Sequence, residues 1–293
     1  MKSFASFHPV VLFIYYVIVM IITMFMMHPV ILLFSLLGSL LFFAALNPMR
    51  TMLRDIRFYI LVFLLIAVTN PIFVHRGETI LFYLNSNPVT LEAIIYGFVI
   101  ATMLVAIIFW SKSYSDLMTS DKFIYLFGKA IPKLSLIISM ALRFIPLFRQ
   151  QIKKVNQTQK TLGLYTSSSF TDRIMSGIRT FNSMITWSLE NSIMQADAMK
   201  ARGYGLKGRT NFTLFRWNKR DIFTLSFMAA VFSLIMYFNI QNLYAFNYYP
   251  VMSGTAFDKT QYVQFITIFV FMVLPTLIEL KENLQWKYLK SKI

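Results

Sequence analysis

Six apolar runs, each near the length needed to cross a bilayer, constrain the fold of this chain more than any other feature. A transmembrane helix needs roughly 20 predominantly apolar residues. Of the 293 residues, 57% are hydrophobic and only 14% are charged, whereas a soluble domain keeps about 25% charged residues. The sequence therefore predicts an all-α polytopic membrane protein with about six transmembrane helices. The runs are Pro9–Met27, Pro29–Leu46, Phe58–Val74, Val89–Trp110, Ile222–Ile240 and Tyr262–Leu280.

The basic residues are distributed unevenly between the predicted loops. The segment from Lys112 to Asp221 holds 18 Lys or Arg against 6 Asp or Glu, and the predicted loop Asn47–Arg57 carries three arginines. The predicted loops His75–Pro88 and 241–261 carry no net charge. Cytoplasmic loops are the ones enriched in Lys and Arg, so we expect six crossings with both termini in the cytoplasm. The net charge of +16 does not indicate nucleic-acid binding, because no soluble basic module accompanies it.

This pattern divides the chain into three parts. Residues 1–110 form the N-terminal transmembrane helices, residues 111–221 a cytoplasmic helical region, and residues 222–293 a C-terminal transmembrane hairpin with a cytoplasmic tail. The first two runs are the weakest prediction, because a re-entrant or interfacial pair would also explain them. We interpret the first run as a retained helix, since no small-residue cleavage site separates it from the second.

The cytoplasmic region predicts two long amphipathic helices. The first begins at Pro132, has apolar residues at helical spacing up to Val155, and is expected to kink near Pro146. The second follows the capping pair Thr171-Asp172 and reaches Arg202, either unbroken or in two pieces. Each apolar face needs a partner. The candidates are the other helix, the membrane interface and a separate subunit.

The segment Gln195–Gly208, QADAMKARGYGLKG, marks the end of the second helix. Gly203 and Gly205 are the residue type that ends helices in a left-handed conformation, which places Arg202 in the last turn. A cation there complements the helix dipole. The position of Arg202 is thus explained either by local stabilisation or by a docking role.

Residues that would carry catalysis, or bind a metal or a cofactor, are sparse. Residues 203–208 fit the pattern GxGxxG, but a dinucleotide site needs these glycines to open a helix, and here they close one. The chain has no phosphate-binding GxxxxGK[ST] loop and no cysteine. His8, His28 and His75 lack metal-ligand spacing, and we expect them to face solvent or the membrane interface. The isolated carboxylates of Asp172, Glu190 and Asp197 are expected to cap helices or to pair with basic residues.

Three segments resemble one family of membrane proteins. The segments Met140–Leu147 (MALRFIPL), Gln195–Gly205 (QADAMKARGYG) and Asn70–Gly77 (NPIFVHRG) are similar to stretches of the transmembrane T component of energy-coupling factor importers, the CbiQ-like family. In that family two coupling helices each end in a motif centred on arginine, and the two arginines dock into grooves of two ATPase subunits. The resemblance implies that Ala201-Arg202-Gly203 is the second motif. The first falls at Thr161-Leu162-Gly163, where Leu162 replaces the arginine and Lys160 lies two residues earlier.

The resemblance also implies a function. The chain would be a scaffold and transducer in the bacterial cell membrane, coupling two ATP-binding-cassette ATPases to a small hydrophobic subunit that binds a vitamin or a transition-metal ion. ATP hydrolysis would belong to the ATPases, and this chain would be neither an enzyme nor a cofactor-binding protein. The substrate-binding subunit would contact the apolar stripes of both helices, at Leu142, Ile145, Phe148, Ile178, Phe181 and Ile185.

Two other functions remain open from the residues alone. One is a conventional permease of an ATP-driven transporter, which forms the substrate path itself. The long doubled helices disfavour it, because such a permease needs only a short coupling element. The other is a non-transport membrane protein, such as an assembly factor whose basic helices lie on anionic lipid.

Overall fold

The computed structural model describes residues 4–84, 87–128, 131–163, 170–206, 215–241, 246–250 and 259–290. The predicted positions Gly208 and Asp258, and the last lysine of the tail, Lys292, lie outside the described residues. The chain forms two compact units, one made of Met1–Lys122 with Phe215–Ile293 and the other of Phe123–Leu214.

The described residues are mostly helical. After a short 3₁₀ turn at Phe4–Ser6, the elements are α1 (Pro9–Phe25), α2 (Pro29–Leu46), α3 (Met49–Phe73), β1 (Ile80–Leu84), β2 (Asn87–Thr90), α4 (Leu91–Leu117), α5 (Ser120–Gly128), α6 (Pro132–Thr161), α7 (Phe170–Ala201), α8 (Lys219–Ile240) and α9 (Lys259–Lys290). The strands pair in an antiparallel hairpin. Five helices, α2, α3, α4, α8 and α9, are long and apolar enough to span a membrane, and α1 is a shorter apolar helix. The prediction of an all-α polytopic membrane protein is confirmed.

Several predicted boundaries were wrong. The segment Asn47–Arg57 is not a loop, because α3 begins at Met49 and carries all three arginines in its first turns. Met, Leu and Arg are strong helix formers, so the helix extends beyond its apolar part. Helix α4 likewise continues past Trp110 to Leu117, and α9 continues to Lys290. The pair Thr171-Asp172 does not precede α7 but lies inside its first turn.

The first unit is held together by a core of aromatic side chains. Tyr15 of α1 is fully buried, and its ring lies 5.6 Å from Phe4, 5.4 Å from Phe271 of α9 and 6.0 Å from Trp110 of α4. The indole N–H of Trp110 donates to the hydroxyl of Ser35 on α2 at 3.1 Å. Because edge-to-face aromatic pairs add to the energy of burial, this core joins α1, α2, α4 and α9 into one bundle.

Two histidines were expected at the surface and are buried. His8 and His28 are only 3% and 4% exposed. Each precedes a proline that begins a helix, and each Nδ1 accepts from the backbone N–H two residues later at 3.3 Å, so both cap helices. The ring of His8 stacks on Trp217 at 3.9 Å. Among the described residues no group of three or more His, Cys, Asp and Glu is arranged to hold a metal ion.

The N-terminal segment is fastened to the start of α8 and to α9. The backbone N–H of Phe4 donates to the carboxylate of Glu279 at 3.0 Å, and that of His8 donates to Asp221 at 3.4 Å. Asp221 also completes a capping box with Asn218 at the first turn of α8. The start of α1 and the start of α8 therefore lie at the same end of the bundle.

The second unit contains the two long amphipathic helices. Helix α6 runs from Pro132 through Pro146 to Thr161, and α7 runs unbroken from Phe170 to Ala201. Phe148 packs edge-to-face on Trp187 with ring centroids 5.4 Å apart. The hydroxyl of Ser176 donates to Gln159 at 3.2 Å. The two helices thus contact each other through one aromatic pair and a short polar cluster, which leaves much of each apolar stripe uncovered.

Candidate functional site

The end of α7 is a Schellman motif. The N–H of Tyr204 donates to the carbonyl of Met199 at 3.0 Å, and the N–H of Gly203 donates to that of Lys200 at 2.9 Å. Gly203 has a φ of 82°, in the left-handed region that glycine adopts without strain. Arg202 is therefore the C-cap residue. The glycines close a helix, as predicted, which excludes a dinucleotide fingerprint at this position.

The end of α6 has the same local geometry. The N–H of Gly163 donates to the carbonyl of Lys160 at 3.1 Å, and Gly163 has a φ of 70°. Leu162 is the C-cap residue. The sequences Lys160-Thr-Leu-Gly163 and Lys200-Ala-Arg-Gly203 are thus equivalent position by position. Leu162 lies where Arg202 lies, and a lysine precedes each by two residues.

Both C-cap side chains are directed away from the cap itself. Leu162 is 67% exposed, and Arg202 is also exposed. The hydrogen bonds that close each helix use only backbone groups. Within the described ranges Arg202 has no ion pair; the ion pairs found there join Asp55 to Arg54 and Lys112. An exposed guanidinium with five N–H donors is suited to a carboxylate on a partner, which it binds with two parallel hydrogen bonds.

The six side chains predicted to contact a substrate-binding subunit fall into two groups. Phe148 is half-buried against Trp187, so it serves the contact between α6 and α7. The other five are between 36% and 64% exposed: Leu142, Ile145, Ile178, Phe181 and Ile185. Exposed apolar stripes of this length on paired helices are typical of a surface that is covered by a partner or by lipid.

Sequence reasoning missed a polar cluster at the other end of the first unit. Glu92, at the start of α4, is 2% exposed, and its Oε1 accepts from the hydroxyl of Thr79 at 2.6 Å and from the Thr79 N–H at 3.3 Å. A Cβ on Gly77 would lie 2.4 Å from Glu92 Oε2. The carboxylate therefore fastens the segment before β1 to α4. The signal in the sequence was an acidic residue, Glu92, near the start of the apolar run Val89–Trp110.

The segment Asn70–Gly77, one of the three that carry the resemblance, belongs to this cluster. The amide N–H of Asn70 donates to the carbonyl of Ala93 at 2.7 Å, and the hydroxyl of Thr90 donates to the carbonyl of Arg76 at 2.8 Å. The contacts of this segment are within the first unit and join α3, the hairpin and α4. These hydrogen bonds hold the segment against the hairpin and α4.

Polar and ionic contacts join the start of α3 to the end of α4. The ammonium group of Lys112 lies 2.6 Å from a carboxylate oxygen of Asp55 and 4.9 Å from the ring centroid of Tyr59. The amide of Asn47 donates to Asp116 at 2.8 Å. An open cavity of about 400 Å³ is lined by Asn47, Asp55, Lys112 and Asp116. The side-chain pairs join the α2–α3 connection to the last turns of α4.

Comparison with known proteins agrees with this architecture. Residues 2–213 match the family of cobalt transport proteins, CbiQ. The chain is similar to energy-coupling factor transporter transmembrane proteins EcfT from three bacteria. The protein from Listeria innocua serovar 6a is 30% identical over 187 residues, which cover 59% of this chain and 70% of the relative. That from Staphylococcus aureus is 26% identical over 181 residues, 58% of this chain and 68% of the relative. That from Lacticaseibacillus paracasei is 26% identical over 196 residues, which cover 63% of this chain and 74% of the relative. The chain, a multi-pass membrane protein, therefore belongs to the CbiQ family as a transmembrane component of an energy-coupling factor transporter.

Proposed function

We propose that this chain is the scaffold and transducer of an ATP-driven importer of vitamins or transition-metal ions. Two ATP-binding-cassette ATPases hydrolyse ATP and dock on the ends of α6 and α7. A small hydrophobic membrane subunit binds the substrate and contacts the apolar stripes of the two helices. The chain lies in the bacterial cell membrane with both termini in the cytoplasm, the side on which the positive-inside rule puts its basic middle segment.

The observation that carries this proposal is the equivalence of the two helix ends. Leu162 and Arg202 occupy the same position of the same cap, with exposed side chains. Two helix ends of the same geometry suit the grooves of two ATPase subunits that share one fold. Because one side chain is a guanidinium and the other is an isobutyl group, we expect an acidic groove of one ATPase to bind Arg202. The other ATPase would bind Leu162 by apolar contact or would pair with Lys160. Two different ATPase subunits would suit this asymmetry.

The transmission of force follows from the length of the helices. Helix α6 has 30 residues and α7 has 32, so each reaches about 45 Å from its docking end. Closure of the ATPases on ATP would move both ends, and the apolar stripes would carry that movement to the substrate-binding subunit. A short helix joining two spans would not extend over such a distance.

Co-purification with ATPases from detergent tests the docking ends. The tagged chain is co-expressed with the two ATPases as wild type, as Arg202→Glu, as Arg202→Lys and as Leu162→Arg. The control is Arg179→Glu, which reverses an exposed arginine of the same helix far from its end. We expect Arg202→Glu to abolish co-purification and Arg202→Lys to weaken it, because lysine keeps the charge but not the paired donors. Wild-type recovery with Arg202→Glu would overturn the proposal.

A second pair of variants tests the apolar stripe. Phe181→Glu and Ile185→Glu place charges on the exposed face of α7. We expect them to abolish co-purification of the substrate-binding subunit while the ATPases remain bound. If the substrate-binding subunit stays bound, the stripe is not its contact surface, and α6 and α7 couple to it through other residues.

A further inference from the structure

The two long helices differ sharply in charge. Helix α6 carries six basic residues and no acidic one, whereas α7 carries three of each. The apolar stripes of the two helices are similar, so the difference lies in their polar faces. The basic residues of α6 are Lys133, Arg143, Arg149, Lys153, Lys154 and Lys160. The docking function proposed above uses only the last of them.

Three of these cations share one face of α6 and line a groove. Arg149, Lys153 and Lys160 are separated by four and seven residues, the spacing that aligns side chains along a helix. They line an open cavity of about 360 Å³ together with Ile152, Asn156 and Gln157. The three cations are exposed and have no ion pair within the described part of the chain. The groove is therefore a concentrated, uncompensated positive surface.

We propose that this groove of α6 binds the phosphate of an anionic phospholipid headgroup. Arg149 offers paired donors that match phosphate oxygens, and Lys153 and Lys160 add charge on either side. Membrane-surface helices combine a basic face with apolar side chains beside it. Here Ile152, 40% exposed, lies inside the groove. Its side chain contacts the part of the acyl chain next to the headgroup.

An acidic protein surface is the other occupant that would match the charge. The apolar side chain of Ile152 favours lipid, because a carboxylate-rich partner would lie against it without burying it in an apolar contact. Helix α7 has the same kind of apolar stripe but three basic and three acidic residues, so its polar face carries no net charge. The lipid site on α6 does not depend on ATPase docking at the helix ends.

Native mass spectrometry of the full chain in detergent tests the site. Phosphatidylglycerol and phosphatidylcholine with the same acyl chains are added as probes, and the retained adducts are counted. The variant is Arg149→Gln/Lys153→Gln, which leaves Lys160 in place. The control is Arg173→Gln/Arg179→Gln, which removes two exposed cations from α7. Both variants change the net charge equally.

The expected result is selective loss of one lipid. The wild type and the α7 control should retain phosphatidylglycerol over phosphatidylcholine, and the α6 variant should retain it roughly tenfold less, since each cation near an anionic surface contributes to binding. If both variants lose phosphatidylglycerol equally, net charge alone explains the binding and the proposal is overturned. The proposal is also overturned if the α6 variant retains phosphatidylglycerol as well as the wild type does.

The same variants separate the lipid site from protein docking. If Arg149→Gln/Lys153→Gln keeps phosphatidylglycerol but loses the ATPases, the groove is a protein contact and the lipid proposal fails. If Arg202→Glu leaves the ATPases bound while the α6 variant loses phosphatidylglycerol, the docking proposal fails and the lipid site stands. Inorganic phosphate at millimolar concentration should not displace the lipid, because it lacks the acyl chain that Ile152 contacts.

Discussion

Helices α3 and α4 approach each other closely at Gly97, and its substitution by alanine should destabilise the bundle. A Cβ on Gly97 of α4 would lie 2.6 Å from the carbonyl oxygen of Ala67 and 3.2 Å from Cβ of Asn70, both on α3. Ordinary contacts begin near 3.4 Å. The obstacle at 2.6 Å is backbone, so α3 and α4 must separate by somewhat under 1 Å, and no rotamer change relieves the clash.

The magnitude follows from the two contacts that this separation disturbs. Overpacking of a well-packed contact costs about 1–3 kcal/mol. The separation would also stretch the hydrogen bond from Asn70 to the carbonyl of Ala93, now 2.7 Å, whose loss costs about 1 kcal/mol. The sum of about 2–4 kcal/mol corresponds to a fall in Tm of roughly 3–7 °C for a chain of 293 residues, whose entropy of unfolding is about 0.6 kcal/mol/K.

Thermal unfolding in detergent, followed by the fluorescence of the four tryptophans, measures this effect. The control is Gly177→Ala in α7, where a Cβ would meet nothing within 4 Å. There alanine should leave Tm unchanged or raise it slightly, because glycine in a helix interior costs about 0.5–1 kcal/mol relative to alanine. A Tm for Gly97→Ala equal to that of the wild type would refute the close approach of α3 and α4.

Three further predictions concern the ends of the bundle. Gly77→Ala should loosen the β1–β2 hairpin and speed its amide hydrogen exchange, because Gly77 has a φ of 138° and a Cβ there would meet Glu92; unchanged exchange would contradict the packing of that carboxylate. Asp221→Ala should lower the free energy of unfolding by about 1–3 kcal/mol, since it removes a capping box and the acceptor for the N–H of His8; the control in the same urea titration is Lys219→Arg, which keeps the charge of an exposed residue in the same helix turn. Burial lowers the pKa of the His28 imidazole, so the unfolded chain binds a proton at this side chain more readily than the folded chain does. The free energy of unfolding should therefore have its full value above about pH 6.5, the pKa of a free histidine, and should fall as the pH drops below it. His28→Asn keeps a capping acceptor and should abolish that pH dependence of Tm; a dependence that persists would assign it to another group.

The sequence predicted the elements whose cause is local. The apolar runs locate the membrane helices because a span needs continuous apolar length, and the spacing of apolar residues after Pro132 predicts α6. The left-handed glycine after Arg202 is likewise a local property. The start of α3 was missed because its first turns are charged, and hydropathy detects only the apolar part of a helix. Helix propensity, which does not depend on polarity alone, continues the helix back to Met49.

Contacts between distant segments were not predictable from one sequence. His8 was expected to face solvent or the membrane interface, but its ring stacks on Trp217, more than two hundred residues away. Phe4 bonds to Glu279 across almost the whole chain. Such pairs depend on which helices lie side by side, and periodicity does not encode that. One local clue existed: His8-Pro9 and His28-Pro29 repeat the same pair at the start of two helices, which is the pattern of a capping side chain before a proline.

The two helix ends can be compared to ask whether Arg202 is needed to close its helix. If the arginine were present to stabilise the helix end, the cap that lacks it should be less regular. Instead the cap with Leu162 closes with bonds of 3.0 and 3.1 Å, and the cap with Arg202 with bonds of 3.2 and 2.9 Å. The backbone and the following glycine therefore suffice to end either helix. We expect Arg202→Leu to lower the free energy of unfolding by no more than about 0.3–1 kcal/mol, the worth of an exposed cation at a helix end. If Arg202→Leu loses ATPase association although its free energy of unfolding falls no further than this, the side chain itself docks the ATPase. If association is lost only in step with stability, Arg202 merely stabilises the end of its helix.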